Sequence, residues 1–341
     1  MALKWGICST GKICNDFCSC LKSMSAQDHQ IVAVVSRSKD SAEKFASKFE
    51  IPKTYDSYEK FANDPEIDVV YIGSVCTEHV RLTVIMLKGG KHVLCEKPFS
   101  ISTEEVKMVN KLAKEKNLFF MEGLWVRCFP TYKKIREELK SGTIGDPQMV
   151  SVRFCTHVNF HDLAANEKYP SESGGFLLEA GIYTVQFALM VYEEMPVSIT
   201  AVGEVIENGY DVDDCIILTF SKGQKACLMC SSKCCHERNT AIINGTKGSI
   251  EVASPFYCPE EVVLPSGIFR NELPPGFCPF IWINASGLRY EAEEVRRCIK
   301  NGLLECPDFT HKESEIVHTI IDQAAKQIGR NIPHTPTKVE L

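Results

Sequence analysis

The sequence lacks any long run of basic residues, any apolar stretch approaching the length of a membrane span, and any low-complexity linker or internal repeat. Each absence removes a class of function. Without a basic cluster there is nothing to neutralise a nucleic-acid backbone or an anionic membrane, and 38 Lys and Arg stand against 44 Asp and Glu for a net charge of −6. Without roughly 20 consecutive apolar residues, no segment is expected to cross a bilayer. No charged leader with an apolar stretch and a cleavage site precedes the first apolar run, so a cytoplasmic, reducing location is expected. The final Lys338-Val339-Glu340-Leu341 faintly resembles a retrieval signal, which has no use without entry into the secretory route, and reads as coincidence.

Cysteine, by contrast, is plentiful, with 17 residues. In a reducing compartment such thiols act as small buried hydrophobes, as expected for Cys14, Cys18 and Cys20. Cys227 and Cys230, followed by Cys234, Cys235 and His236, have the spacing of one zinc knuckle. On a strand, however, Cys227 and Cys230 face opposite sides, and no second well-spaced pair follows, so no metal site is expected.

A chain of 341 residues is longer than one core usually serves, which predicts two domains. In the first third, short apolar runs at 3–8, 30–36, 68–73, 92–95 and 118–121 alternate with helical segments at 41–49, 78–87 and 102–116, the last opened by a Ser102/Glu105 capping box. Strand, helix, strand, repeated, specifies parallel strands with right-handed crossovers, a doubly wound α/β domain. After about residue 122 the pattern changes. Helical stretches at 130–140, 175–192 and 286–300 flank strands at 149–157, 198–205, 215–220, 226–231, 241–244 and 249–252. Tight turns link most of these strands, so the second sheet is expected to be large, open and mostly antiparallel. The predicted fold class is an N-terminal Rossmann domain, residues 1–122, and a C-terminal α+β domain, residues 123–341, which completes the active site.

The first strand runs into Gly6-Ile7-Cys8-Ser9-Thr10-Gly11-Lys12-Ile13. A dinucleotide fold needs a tight turn here, so that amides at the next helix's N-terminus face a pyrophosphate. Ser9 stands where the turn prefers glycine, and Gly11 remains for close backbone approach. The second strand ends in Ser36-Arg37-Ser38 rather than in an acidic residue. A guanidinium and two hydroxyls suit a 2′-phosphate, which favours NADP over NAD; the plainer alternative is a solvated basic loop.

The fourth strand ends in Cys95-Glu96-Lys97-Pro98, and ligands of open α/β sheets bind beyond the strands' C-terminal ends. With Glu122-Gly123-Leu124-Trp125-Val126-Arg127, Gly174-Gly175 through Gly181-Ile182-Tyr183, and Gly245-Thr246-Lys247-Gly248, the chain resembles the glucose-fructose oxidoreductase/inositol dehydrogenase (Gfo/Idh/MocA) family over nearly its whole length. That resemblance implies Lys97 as the catalytic-site lysine and Tyr183 as acid/base, and the family also tolerates serine at the place of Ser9. A neighbouring ammonium favours a phenolate, so Tyr183 is expected as base with Lys97 as its electrostatic partner; the reverse assignment serves the same chemistry. Glu179, four residues before Tyr183 on the same helical face, replaces the family's aspartate and is expected to touch substrate or Lys97. The resemblance places cofactor contacts near Tyr71 and His79, and Trp125, Arg127, Phe154, Phe160 and Trp282 are candidates for an aromatic pocket.

The resulting expectation is an NADP-dependent dehydrogenase acting on a diol or an aldose, working as a homodimer through the C-terminal sheet. The alternatives are an NADP(H)-binding sensor without turnover, which has no need of an acid/base pair, and a dehydrogenase of the same family for another polyol or sugar.

Overall fold

The computed structural model describes residues 2–157, 174–234 and 238–330. Strands β1 (Leu3–Cys8), β2 (His29–Val35), β3 (Lys53–Tyr55), β4 (Val69–Ile72), β5 (His92–Glu96) and β6 (Phe120–Gly123) form one parallel sheet. Its order is β3-β2-β1-β4-β5-β6. Helices α1 (Lys12–Ser23), α2 (Lys39–Phe49), α3 (Tyr58–Ala62), α4 (His79–Lys88) and α5 (Thr103–Lys116) provide the crossovers. The strands are apolar on both faces, as in β4, where all four residues are buried, because helices cover both sides of the sheet. From β1 the chain winds outward through β2 and β3, then returns to lay β4 on the other flank of β1. The two directions part between β1 and β4, which opens a crevice at their C-terminal ends.

The second sheet has eight strands, in the order β14-β13-β12-β11-β7-β10-β9-β8. These are β7 (Pro147–Cys155), β8 (Ser198–Val205), β9 (Asp211–Thr219), β10 (Lys225–Ser231), β11 (Ala241–Gly245), β12 (Ser249–Val252), β13 (Glu261–Leu264) and β14 (Gly267–Arg270). All neighbours are antiparallel except β7 and β10. A π turn, Leu177–Gly181, and helix α7 (Ile182–Tyr192) cover one face. Alternation along the strands leaves Val202, Ile217, Met229, Val263 and Ile268 exposed, while Ile216, Leu218 and Leu228 are buried.

Helix α6 (Pro130–Ser141) follows the first sheet, and two late helices, α8 (Leu288–Lys300) and α9 (His311–Gln327), return to it. Helix α8 packs on α1, and α9 packs on α5 as well as on α7 and β8. Strands β3, β13 and β14 and helices α3 and α9 are additions to the elements read from sequence. The Ser102/Glu105 capping box is not formed: Ser102 makes no side-chain cap, and Glu105 instead accepts from the Ser100 hydroxyl at 2.6 Å. Cys14, Cys18 and Cys20 are buried in the core. Cys227 and Cys230 fall on opposite faces of β10, the second buried against α7's side of the sheet.

Candidate active site

The turn after β1 carries the conformation that its missing glycine demands: Ser9 holds φ +102°, a left-handed region that costs an L-residue energy. Its hydroxyl repays part of that cost by accepting the Gly11 N–H at 3.3 Å. Gly11 caps α1 without a side-chain bond, so the first-turn amides of Lys12 and Ile13 point outward from the helix N-terminus. Gly6 is required for packing, since a Cβ there would lie 2.5 Å from the Phe61 ring. The end of β4 packs tightly on α1 at Gly73, while space remains open at Gly11. A Cβ on Gly73 would stand 2.6 Å from Cys14 Sγ, whereas one on Gly11 meets nothing nearer than 3.6 Å. At the end of β2, Ser36 is buried, Ser38 caps α2 by accepting the Ser41 N–H, and Arg37 is exposed with no carboxylate partner among the described residues.

On the far side of the crevice β5 delivers Glu96 and Lys97. Glu96 is buried; its carboxylate accepts from the Tyr71 hydroxyl at 2.7 Å and from the Lys97 N–H at 3.2 Å. Burial pushes that carboxyl up, and the Tyr71 and Lys97 contacts pull against it. The Lys97 ammonium donates to the Glu179 carbonyl oxygen at 2.8 Å and stands 4.9 Å from the centroid of the Tyr183 ring. The two domains therefore meet at these residues. The Tyr183 oxygen accepts from Trp125 Nε1–H at 3.0 Å. Its ring lies beside Phe154 and Tyr257, which stack on each other with centroids 4.5 Å apart. Burial, then the Glu96 charge, raise the Tyr183 phenol well above its ordinary range, against the Trp125 bond that favours the phenolate. The expected lowering by Lys97 is thus corrected: the ammonium faces the ring, and desolvation wins.

Several further expectations are changed by the packing. Glu179 does not present its carboxylate to Lys97, because the π turn shifts the helical register that the four-residue spacing assumed; the carboxylate accepts instead from Tyr210 Oη–H at 3.0 Å, and the backbone carbonyl serves Lys97. Arg127 is corrected from substrate contact to structural core. It is 1% exposed, donating to Gln186 Oε1, to the Gln186 and Asp308 carbonyls and to Glu313. Tyr71 is likewise fully buried, stacked on Phe17 with centroids 3.7 Å apart, and acts below the site by holding Glu96. His79 is buried with its ring nitrogens 2.9 Å from the Pro98 carbonyl oxygen and 3.1 Å from that of Ser74, so it clasps two loops at the mouth of the crevice; burial lowers its pKa. Trp282 stays outside the Tyr183 stack: it is half exposed, its backbone N–H donating to the Asp16 carboxylate, on a segment laid across α1. Phe160, Cys235, His236 and the last four residues lie outside the described residues. Sequence reasoning missed Gly73, Tyr210 and Tyr257; only Gly73, a glycine ending a strand, carried a signal that could have found it.

The chain matches two family models: an oxidoreductase family with an NAD-binding Rossmann fold over residues 3–124, and the GFO/IDH/MocA C-terminal domain over residues 132–251. It belongs to the GFO/IDH/MocA oxidoreductase family. Within it, the stretches named above resemble dimeric dihydrodiol dehydrogenase. Trans-1,2-dihydrobenzene-1,2-diol dehydrogenase of Xenopus laevis is 39% identical, over 98% of this chain and 100% of the relative. The Homo sapiens protein of that name is 36% identical, over 98% and 99%. Among solved structures, myo-inositol 2-dehydrogenase from Lactobacillus plantarum superposes with a TM-score of 0.80 at 18% identity, covering 96% of this chain and 98% of that one. KijD10, a 3-ketoreductase from Actinomadura kijaniata in complex with NADP, does so with 0.77 at 18%, over 96% and 98%. A nicotinamide-dependent oxidoreductase built on this fold is therefore the class to which the site belongs.

Proposed function

We propose that the protein is an NADP-dependent dehydrogenase that oxidises trans-dihydrodiols of aromatic hydrocarbons to catechols, D-xylose to xylonolactone, or both. The observation that carries this reading is the meeting of Lys97 and Tyr183 across the two sheets, beside a wall of aromatic rings. The relatives' names supply the dihydrodiol; flat apolar walls suit such a ring and equally the apolar face of a sugar.

The residues present fit a dinucleotide. The outward amides of α1 would receive a pyrophosphate, and the Ser9 turn and Gly11, where a Cβ meets nothing nearer than 3.6 Å, would let the backbone approach it. Arg37, exposed and without a carboxylate partner among the described residues, receives a 2′-phosphate that NAD lacks. When bound, the nicotinamide supplies the acceptor for the hydride leaving the substrate carbon. Tyr183, as the phenolate that the Trp125 bond favours, takes the hydroxyl proton, with its oxygen oriented by Trp125 and its ring under the Lys97 ammonium. Lys97, fixed by the Glu179 carbonyl, directs its remaining donors at the substrate oxygen. The exposed apolar face of the second sheet supports a homodimer through that surface, and a cytoplasmic location accords with the free thiols.

The test is NADPH formation from trans-benzene dihydrodiol and from D-xylose, with NAD in parallel. Turnover of either substrate with NADP preferred bears the reading out; tight NADPH binding with no turnover on either points to a sensor and overturns it.

A further inference from the structure

We propose that Asp211 is a positioning residue for this site: paired with Arg330, its buried carboxylate seats the π turn from which Glu179 and Tyr183 are presented. The kinetic arm of this proposal rests on the dehydrogenase reading; its geometry does not.

Asp211 opens β9 and has no exposed surface. One carboxylate oxygen accepts the backbone N–H of Leu177, the first residue of the π turn, at 2.5 Å; the other lies 2.9 Å from Arg330 Nη1, which follows α9. Both side chains are 1% exposed or less. The chain crosses directly over this pair. Gly174 and Gly175 take φ +99° and +70°, and a Cβ on Gly175 would run into Asp211 Oδ1 and come within 2.6 Å of Arg330 Nη1. The residue before, Tyr210, donates its hydroxyl to the Glu179 carboxylate. The dipeptide Tyr210-Asp211 therefore grips the turn at its first residue and again at Glu179.

The chemistry explains why a charge is used. The first amides of a helix lack intrahelical acceptors, and a carboxylate is the strongest acceptor that can be offered to them. Buried, it needs a cation, which Arg330 supplies. Deleting the carboxylate takes the acceptor from the Leu177 amide and the 2.9 Å partner from Arg330 Nη1, and frees the turn to slip back towards ordinary α-helical register. Such a slip moves the Glu179 carbonyl away from Lys97 Nζ and rotates Tyr183 out of line with Trp125. None of this touches α1 or Arg37, where the dinucleotide's phosphates are received.

The experiment compares full-length wild type with Asp211→Ala, Asp211→Asn and Arg330→Lys. It uses hydrogen exchange read by mass spectrometry, together with kcat and KM on trans-benzene dihydrodiol and D-xylose with NADP. In Asp211→Ala, exchange should quicken in the peptide spanning Leu177–Gly181 before it does so elsewhere, and kcat should fall on the order of ten- to a hundredfold, the scale of an ångström's misplacement. KM for NADP should hold within about twofold. Asp211→Asn, which keeps an oxygen for the Leu177 amide, and Arg330→Lys, which keeps the charge, should each recover much of the loss. Unchanged exchange across the turn, equal loss in kcat and NADP affinity, or uniform quickening along the chain overturns the proposal. Should Asp211→Ala not fold, the residual quickening of exchange at Leu177–Gly181 in the Asn and Lys variants decides, and its absence from both overturns the proposal. Should wild type turn over neither substrate, the functional reading fails and the exchange pattern alone decides the anchor.

Discussion

Lys97 stands over the face of Tyr183, its Nζ 4.9 Å from the ring centroid, while its hydrogen bond goes to the backbone oxygen of Glu179. A cation on the ring face is attracted by the π cloud, which holds the ammonium and the ring together across the two sheets. Trp125 fixes the same hydroxyl from the side. On the proposed function, proton transfer falls to this oxygen, with Trp125 and Lys97 as its neighbours.

Tyr183→Phe removes that oxygen alone. It should lower kcat by about two to four orders of magnitude and leave NADP affinity nearly intact. The pH profile adds a sign. Burial holds the phenol well above its ordinary range, so it is protonated at neutral pH and becomes a better proton acceptor only as pH rises. The kcat/KM for alcohol oxidation in the wild type should keep climbing through about pH 9. A plateau below neutrality, or near-normal turnover in the Phe variant, places the acceptor elsewhere, first at Lys97.

Arg37→Ala tests the cofactor. The guanidinium is exposed and bound to no carboxylate among the described residues, so its loss costs the fold little. Removing a charge-assisted bond to a phosphate, about 1.5–3 kcal/mol, should weaken NADP roughly ten- to a hundredfold. NAD should be little affected. Equal effects on both cofactors, measured by fluorescence titration, remove the 2′-phosphate assignment.

Arg127→Ala should behave as a core mutation and not as a loss of substrate contact. The guanidinium ties the 3₁₀ turn Trp125–Cys128 to α7 through Gln186 and to α9 through Glu313. Truncating it takes the donor from Gln186 Oε1 and the cation from Glu313 Oε1, while Glu313 keeps its Thr310 contacts and Gln186 its bond to the Tyr183 carbonyl, at a cost of about 1–3 kcal/mol. Urea unfolding should show that loss, with KM for substrate in the folded fraction unchanged; a raised KM at unchanged stability would return Arg127 to the pocket.

Arg127 also shows where the sequence stops being legible. Alternation of apolar runs and helices is a local property, so β1, β2, β4, β5 and β6 and most of the second sheet follow from periodicity within a residue or two. Lys97 and Tyr183 were visible because short motifs carry them. What decides whether Arg127 or Tyr71 faces ligand or core is the arrival of α7, α9 and Glu96 from distant parts of the chain, and no local pattern encodes that. The π turn is hidden for the same reason: residues 175–192 are apolar enough for any helical register, and Asp211, on another strand, selects the one observed. Helix α9 was overlooked despite a signal, the Thr310/Glu313 capping box that the structure forms.

A last prediction concerns Glu122 and His318, a buried pair joining β6 to α9 with Nε2 3.1 Å from Oε1. Glu122 also accepts the Phe99 N–H, two residues beyond Lys97, and the Ser314 hydroxyl, so the pair helps hold the loop that aims the lysine. Burial alone would push the imidazole down, but the Glu122 charge and hydrogen bond outweigh it and His318 is raised above 6.5. Burial likewise pushes Glu122 up, and His318, with the Ser314 and Phe99 bonds, brings it below 4.5. A raised histidine contributes stability that is complete below about pH 6.5 and is lost as pH climbs through the folded value. A lowered carboxylate contributes stability that is complete above 4.5 and is lost as pH falls through its own folded value. The pair is therefore strongest between those limits. His318→Gln keeps a donor to Glu122 but not the charge, so wild type should exceed it in urea stability most at about pH 5–6.5, each unit of upward shift being worth about 1.4 kcal/mol. The excess should shrink as pH rises above that window. Parallel stability curves for the two proteins from pH 5 to about 9 would mean that His318 is neutral in the folded chain and that the Lys97 loop is held by hydrogen bonds alone.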